Sequence, residues 1–366
     1  MTRRADIAII GAGMAGASLA AEVAPYASVM LIEAEEQPGY HSTGRSAAFW
    51  AESYGGPAVQ PLTTASGPFL REGGFLGPRG ALHIAADGEG RAALDALVGA
   101  HGASVRLERL DEAGLRARLP GLRPGWADAV SEPDCADIDV AALHAAYLKS
   151  ARRSGAQVVS DARLLSAAKE DGAWVLETAG GTIACDILVD AAGAWADVVA
   201  RAAGVEPLGI QPYRRTLVQL RLYAPVPADL PLVIDALGRF YFKPESGGRL
   251  WHSPHDETPC EPCDCAPEEY DIALAIARLE AALEWRVERV ERSWAGLRSF
   301  APDRVPVYGY PKGRRDFFWF AGQGGFGIQT APAAAKLGAS ILLDRAPDTA
   351  VEHIDPAPYL PERFTN

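Results

Sequence analysis

The opening of this 366-residue chain constrains its fold more than any other stretch. Residues 5–10, apolar apart from Asp6, read as a parallel strand covered on both faces. Gly11, Gly13 and Gly16 follow in the spacing G-x-G-x-x-G and open a helical pattern that reaches about Pro25. A second apolar strand, 29–32, ends at Glu33. Strand, glycine turn, helix, strand and terminal acid together predict a dinucleotide site in a Rossmann-type α/β sheet. Gly11 permits the tight turn, Gly13 lets backbone approach a pyrophosphate, and Gly16 allows close helix–strand packing. The helix start then offers N–H groups and a positive dipole end to phosphates. Glu33 can accept from ribose hydroxyls, and its charge disfavours a 2′-phosphate.

Further along, Asp139 is placed to cap a helix over 140–154, with Gly155 just beyond its end. A hairpin is expected across 173–177 and 182–186, then an apolar strand 187–190 leading into a turn and helix at Ala191–Trp195. Strands are expected near 216–222, 240–243, 299–302 and 317–321. Gly322–Gly327 reads as a turn into a last helix from Ile328 to about Leu343, with Pro332 in its first turn. A helix N-terminus there can stabilise negative charge on the N1/C2=O edge of a reduced flavin, which an NAD enzyme does not require.

The formal charge of −12, without a long basic tract, repels nucleic acid and anionic lipid and favours a small-molecule partner, although such a charge also serves plain solubility. No run approaches the roughly 20 apolar residues of a membrane span, and the basic, apolar N-terminus reads as a strand rather than a signal peptide. A cytoplasmic protein is expected. Of five cysteines, Cys260, Cys263 and Cys265 form a C-x-x-C-x-C run, with His252 or His255 as the nearest fourth ligand for a metal. The surrounding prolines and acids favour a free-thiol loop, and no metal is expected.

The segments GYHSTGRSAA (39–48), WAGLRSF (294–300) and QGGFGIQT (323–330), supported by DAAGAW (190–195) and FYFKP (240–244), carry a family resemblance. Over essentially its whole length the chain resembles the D-amino-acid oxidase/glycine oxidase family of flavoproteins, and within it the branch of bacterial D-arginine dehydrogenase and related D-amino-acid dehydrogenases. The resemblance implies non-covalent FAD and an α/β, two-domain fold with a Rossmann-type FAD-binding domain and a smaller substrate domain built on a mainly antiparallel sheet. The FAD-binding domain is expected over 1–50, 138–208 and 294–366, and the substrate domain over 51–137 and 209–293. Besides the glycines and Glu33, it places FAD contacts at Ala15, Ala34, Ser42, Thr43, Gly44, Arg45, Ser46, Ala47, Ala48, Phe49, Leu164, Ala192, Gly193 and Trp195. The loop Gly324, Gly325, Phe326, Gly327, Ile328, Gln329 completes the set.

The same resemblance points to Arg215 and Arg298 as carboxylate-binding groups, since the planar guanidinium grips a carboxylate bidentately. Strand alternation puts Arg214 and Arg215 on opposite faces, so one of them is the ligand. Tyr54 and Tyr241 match substrate-contacting tyrosines, and Gly325 and Gln329 the flavin side. The implied reaction is oxidative deamination of a D-amino acid by hydride transfer to flavin N5, the imino acid then hydrolysing to a keto acid and ammonia. Quinone, another carrier or oxygen remain open as electron acceptor.

In the D-arginine-specific pattern a glutamate pairs with the substrate guanidinium; here Ala81 stands at that position, and Phe49 replaces a histidine. Without a charge partner a buried cationic side chain is costly. Apolar or aromatic side chains are therefore expected over basic ones, with His83, two residues from Ala81, as a source of polarity. A secondary-amine or glycine-type oxidase shares fold and cofactor with this reading. A non-catalytic flavoprotein subunit is disfavoured by the retained arginines and tyrosines.

Overall fold

The computed structural model describes residues 2–364. The strand Arg3–Ile10 lies at the centre of an eight-stranded sheet, parallel to Val29–Ile32 on one side and Gly181–Asp190 on the other. Gln157–Val159 and Phe317–Ala321 extend the parallel core outward, and an antiparallel hairpin, Leu164–Glu170 with Ala173–Thr178, is added at one edge. The helix Met14–Val23 is buried on nearly every side, which explains its small residues. It packs between the helices Val140–Arg153 and Ala331–Leu342. Close packing here depends on Gly16, where a Cβ would lie 1.9 Å from the Gly11 carbonyl oxygen. Gly11 itself has φ +98° and a Cβ there would meet the Ala191 oxygen at 2.5 Å.

A ten-stranded, largely antiparallel sheet forms the second layer. Alternation along Gln211–Leu222 sorts its residues. Val218, Leu220 and Leu222 enter the core beneath the helix Glu269–Ala282, whereas Leu217 joins Ala47, Phe49, Ala81 and Tyr241 on the opposite, inner face. Leu232–Asp235, Tyr241–Glu245 and Arg249–Ser253 continue this sheet toward Ala81–Ala85 and Asp128–Glu132. Among the described residues no helix is long and apolar enough to cross a membrane.

The Asp139 cap is present: its side chain accepts from Ala142 N–H at 2.9 Å, and Gly155 has φ +94° just past the helix end. The Ala173–Thr178 and Gly181–Asp190 hairpin and the opening strand also form as the sequence suggests. Two boundaries differ. The last helix begins at Ala331, not Ile328, because Gln323–Gly324 pairs as a short strand with Ser299 and Phe300, and turns carry the chain from there to Thr330. Pro332 thereby falls in the first helical positions, where its missing N–H leaves no bond unmade. Val287–Phe300 is one continuous strand across position 294, paired along Gln211–Leu222 in the second sheet.

Replacing Gly16 by alanine is expected to destabilise the protein by about 3 kcal/mol and to weaken dinucleotide retention, because backbone rather than a flexible side chain must move. Urea unfolding of the variant checks this; an unchanged midpoint contradicts it.

Candidate active site

One elongated cavity of about 300 Å³ runs between the two layers. At one end it is bounded by Glu33, Ala34 and Leu164, in the middle by Gly11, Gly13, Ala15, Ala192, Gly193 and Trp195, and along the side by Ser42, Thr43, Arg45, Ser46 and Ala47. At the far end stand Gly324, Gly325, Gly327 and Ile328 with Arg215, Tyr241 and Arg298. A smaller compartment of about 30 Å³ adjoins it, walled by Ala48, Phe49, Tyr54, Tyr241, Arg298, Gly325 and Gln329. Gly16, Gly44, Phe326, Ala81 and His83 lie outside both walls.

Local bonds fix the first end. Glu33 is buried, and its carboxylate accepts from the N–H groups of Ala12 at 2.9 Å and Glu35 at 3.1 Å. Gly13 brings no side chain to cap the first helix, so Thr43 supplies its hydroxyl to Met14 N–H at 2.9 Å. Ser42 ties the same loop to the second sheet through the Leu297 carbonyl at 2.7 Å. The last helix does not itself start at the cavity; Gly324, Gly325, Gly327 and Ile328 line it before the helix begins. There Gly324 is required, since its φ is +54° and a Cβ would meet the Phe300 ring at 2.2 Å. The glycine cradle and the acid at the end of the second strand would hold a dinucleotide, with Gly324, Gly325, Gly327 and Ile328 lining the end of the cavity that Arg298 shares.

Register brings the arginines together. Arg215 sits opposite Gly296 on antiparallel strands, and Arg298 lies two residues beyond Gly296. Both side chains therefore leave the same face as diagonal neighbours, with the glycine leaving room between them. Arg214 faces the other way, pairing with Glu268 and with Asp271 at 3.1 Å. Arg215 is 3% exposed; its Nε donates to the Asp256 carbonyl at 2.7 Å and one Nη to Glu257 at 3.0 Å. Its other Nη is buried without a partner. Burial, reinforced by the Arg298 charge, pulls the Arg215 guanidinium below its ordinary pKa.

Arg298 donates to the Tyr54 hydroxyl at 2.7 Å. Burial alone would raise the Tyr54 phenol, but the Arg298 and Arg215 charges outweigh it and hold the phenol below its usual value. The Tyr54 ring packs edge-on against Phe49 at 5.0 Å and Phe326 at 5.4 Å, which gives Phe326 a supporting place behind the wall. Gln329 acts as a clamp: its amide donates to the Tyr54 carbonyl at 2.9 Å and to Thr63, and accepts from Ala51 N–H at 3.3 Å. Ala81 is buried behind Phe49. His83 is also buried, its ring nitrogen 3.4 Å from Glu132, whose carboxylate accepts from Ser53 Oγ at 2.5 Å.

Three residues of this region carry no local sequence signal. Asp256 and Glu257 lie some forty positions from the arginine they hold. His255 packs edge-on against Tyr241 at 5.6 Å. Burial and then the Arg215 and Arg298 charges lower its pKa to about 2, so the ring stays neutral. Unfolded, it would bind a proton below about pH 6.5. The folded state therefore loses stability as pH falls from there toward 2, by about 1.4 kcal/mol per pH unit for this group. Asn suits the +58° φ at this position. Urea unfolding from pH 7 to pH 4 is expected to show wild type losing its lead over His255→Asn; parallel curves contradict it.

Comparison with known proteins agrees with this architecture. The family described as DAO, FAD dependent oxidoreductase, matches residues 6–341. Glycine oxidase of Pseudomonas putida is 30% identical over 192 residues, 51% of this chain and 48% of that protein. Human mitochondrial dimethylglycine dehydrogenase is 27% identical over 248 residues, 62% of this chain and 28% of that protein. The chain thus matches about half of the first relative and about a quarter of the second. The crystal structure of glycine oxidase from Geobacillus kaustophilus superposes with a TM-score of 0.84 at 24% identity, over 98% of both chains. With its glycine cradle, terminal acid and two-layer cavity, the chain belongs to the DAO family of FAD-dependent oxidoreductases.

Proposed function

We propose that the protein oxidises the C–N bond of an α-amino acid, a D-amino acid with a small apolar side chain, to the imino acid. One observation carries the reading: buried Arg215 holds an unpartnered N–H beside a second, half-buried guanidinium, Arg298. Two adjacent cations screened from bulk water repel, and an orphaned buried donor costs about 1–3 kcal/mol, so the pair is poised for an anion. A substrate carboxylate supplies one with the planar geometry that guanidinium forks match.

Each residue then has a task. Arg215 and Arg298 hold the carboxylate, while Tyr54, Tyr241 and Phe49 close the space around Cα and exclude water. Gln329 fixes the Tyr54 segment so that the phenol stays on Arg298. His255 stays neutral and adds no competing charge. FAD, which Gly11, Gly13, Glu33, Gly324 and Gly325 would hold along the cavity, would supply the two-electron acceptor for the hydride leaving Cα. The substrate amine must be neutral when the hydride leaves; no side chain at the wall serves as a strong base, so the amine gives its proton to solvent before the site closes around Cα. Hydrolysis of the released imino acid yields keto acid and ammonia.

The D-arginine-type specificity is not favoured. Glu132 lies across from Ala81 on the neighbouring strand, but Ser53 and His83 already occupy its carboxylate. The narrow compartment favours small side chains. The same narrowness supports a second reading, oxidation of glycine or an N-methyl amino acid, which also suits the likeness to glycine oxidase.

Anaerobic mixing of the FAD-loaded protein with glycine, sarcosine, D- and L-alanine, D-leucine, D-phenylalanine and D-arginine separates these readings through flavin bleaching. D-Alanine is expected to bleach fastest and D-arginine slowly. Arg298→Met is expected to raise the half-saturating concentration about 100-fold, the effect of removing a charged partner. Faster bleaching by sarcosine or glycine would favour the second reading, and a preference for D-arginine would overturn both.

A further inference from the structure

Arg215 carries an anion of its own. Its Nε and one Nη form one edge of the guanidinium fork, and that edge is taken by the Asp256 carbonyl at 2.7 Å and the Glu257 carboxylate at 3.0 Å. The remaining Nη is the one left without a partner. The Asp256 carboxylate is committed elsewhere, accepting from the Thr216 N–H at 2.7 Å and the Thr216 hydroxyl at 3.0 Å. Glu257 is therefore the acid that answers the Arg215 charge.

Glu257 is also shared. Both of its oxygens accept from one Nη of Arg304 at 3.0 Å. Arg304 lies just past the strand Val287–Phe300, in a turn closed by its own N–H on the Ala301 carbonyl at 2.8 Å. Its guanidinium folds back over the Phe300 ring, 3.8 Å from the centroid. Arg363 ties the turn from outside, donating to Asp303 at 2.7 Å and to the Val305 carbonyl at 2.7 Å. Arg304 has φ +65°, a left-handed conformation that is costly for a residue with a Cβ. His255, two positions before Glu257, is held the same way at +58°. One strained residue bonded to Glu257 and another beside it in the chain mark a geometry kept despite its local cost.

We propose that Glu257 and Arg304 are positioning residues that set how tightly Arg215 and Arg298 hold a substrate carboxylate. Glu257 is a resident anion that limits the grip, and Arg304 offsets its charge. Both roles rest on the carboxylate-binding function proposed above. A carboxylate 3.0 Å from Arg215 weakens the pull of the arginine pair on any second anion, and a cation on that carboxylate restores part of it. Removing the Glu257 charge leaves two guanidinium groups repelling each other, so anion binding tightens while the folded state loses stability. Removing Arg304 weakens binding, since Glu257 then spends its whole charge on Arg215. The Glu257 side chain is 35% exposed and that of Arg304 48%, so solvent and salt screen the array and its effect on binding is modest.

The test is a calorimetric titration of the FAD-loaded full chain with acetate, at low and at high ionic strength. Glu257→Gln, which keeps an oxygen for Arg215, is expected to lower the acetate Kd about fivefold and to lower the urea midpoint as well. Arg304→Gln is expected to raise the Kd about fivefold, and Arg304→Lys to keep it near wild type. Glutamine and lysine bear the same backbone strain as arginine at this φ, so charge is the variable. In the double variant Glu257→Gln/Arg304→Gln the Arg304 effect is expected to fall away, because no carboxylate is left for Arg304 to offset. The differences are expected to shrink at high ionic strength. Unchanged or weaker acetate binding in Glu257→Gln, or an Arg304→Gln effect as large in the double variant as alone, would overturn this proposal and leave the proposed function standing. A wild-type protein that binds no acetate would overturn both.

Discussion

Two neighbouring guanidinium groups, Arg215 buried and Arg298 half-buried against the cavity, govern the rest of this molecule's site. Arg215 and Arg298 lose hydration and repel one another, and each is tolerated only because surrounding groups answer its charge. Arg298 has the Tyr54 hydroxyl; Arg215 has the Asp256 carbonyl and Glu257. The cost is met by the second sheet, whose other face carries a large apolar core of Val218, Leu220, Phe242 and Leu279. A scaffold of that size can hold an electrostatically unfavourable pair in place until an anion arrives.

The same arrangement explains why the two layers must meet where they do. The dinucleotide groove is made by the first sheet, whose glycine turn and Glu33 belong to its opening strand–helix–strand unit. The arginines belong to the second sheet. Ser42, Arg45 and Gln329 cross between them, through Leu297, Ala295 and the Tyr54 segment. Function therefore depends on side-chain cross-links from loops as much as on either sheet alone.

Much of this was legible in the sequence where the signal is local. The glycine spacing, the Asp139 cap and the hairpin at 173–186 each involve neighbours along the chain, and each formed as read. The start of the final helix is not legible in the glycines themselves, because a glycine-rich run before an apolar stretch looks like a helix entry. The pairing of Gln323–Gly324 with Ser299 and Phe300, far away in sequence, sets it later; Pro332, at home only in a first turn, was the local clue. The partners Asp256 and Glu257, the neutral His255 and the engagement of His83 by Glu132 all come from strand register across the second sheet. Periodicity gives the face of a residue but not its neighbour.

The most direct test of the central claim, that FAD and the two arginines share one cavity, is a spectral titration of the FAD-loaded protein with acetate, a carboxylate that cannot be oxidised at an amine. A saturable perturbation of the flavin absorbance is expected in wild type, and it should vanish in Arg298→Met while the protein stays folded and yellow. A flavin spectrum indifferent to the carboxylate in wild type, or an unchanged response without Arg298, would contradict the account.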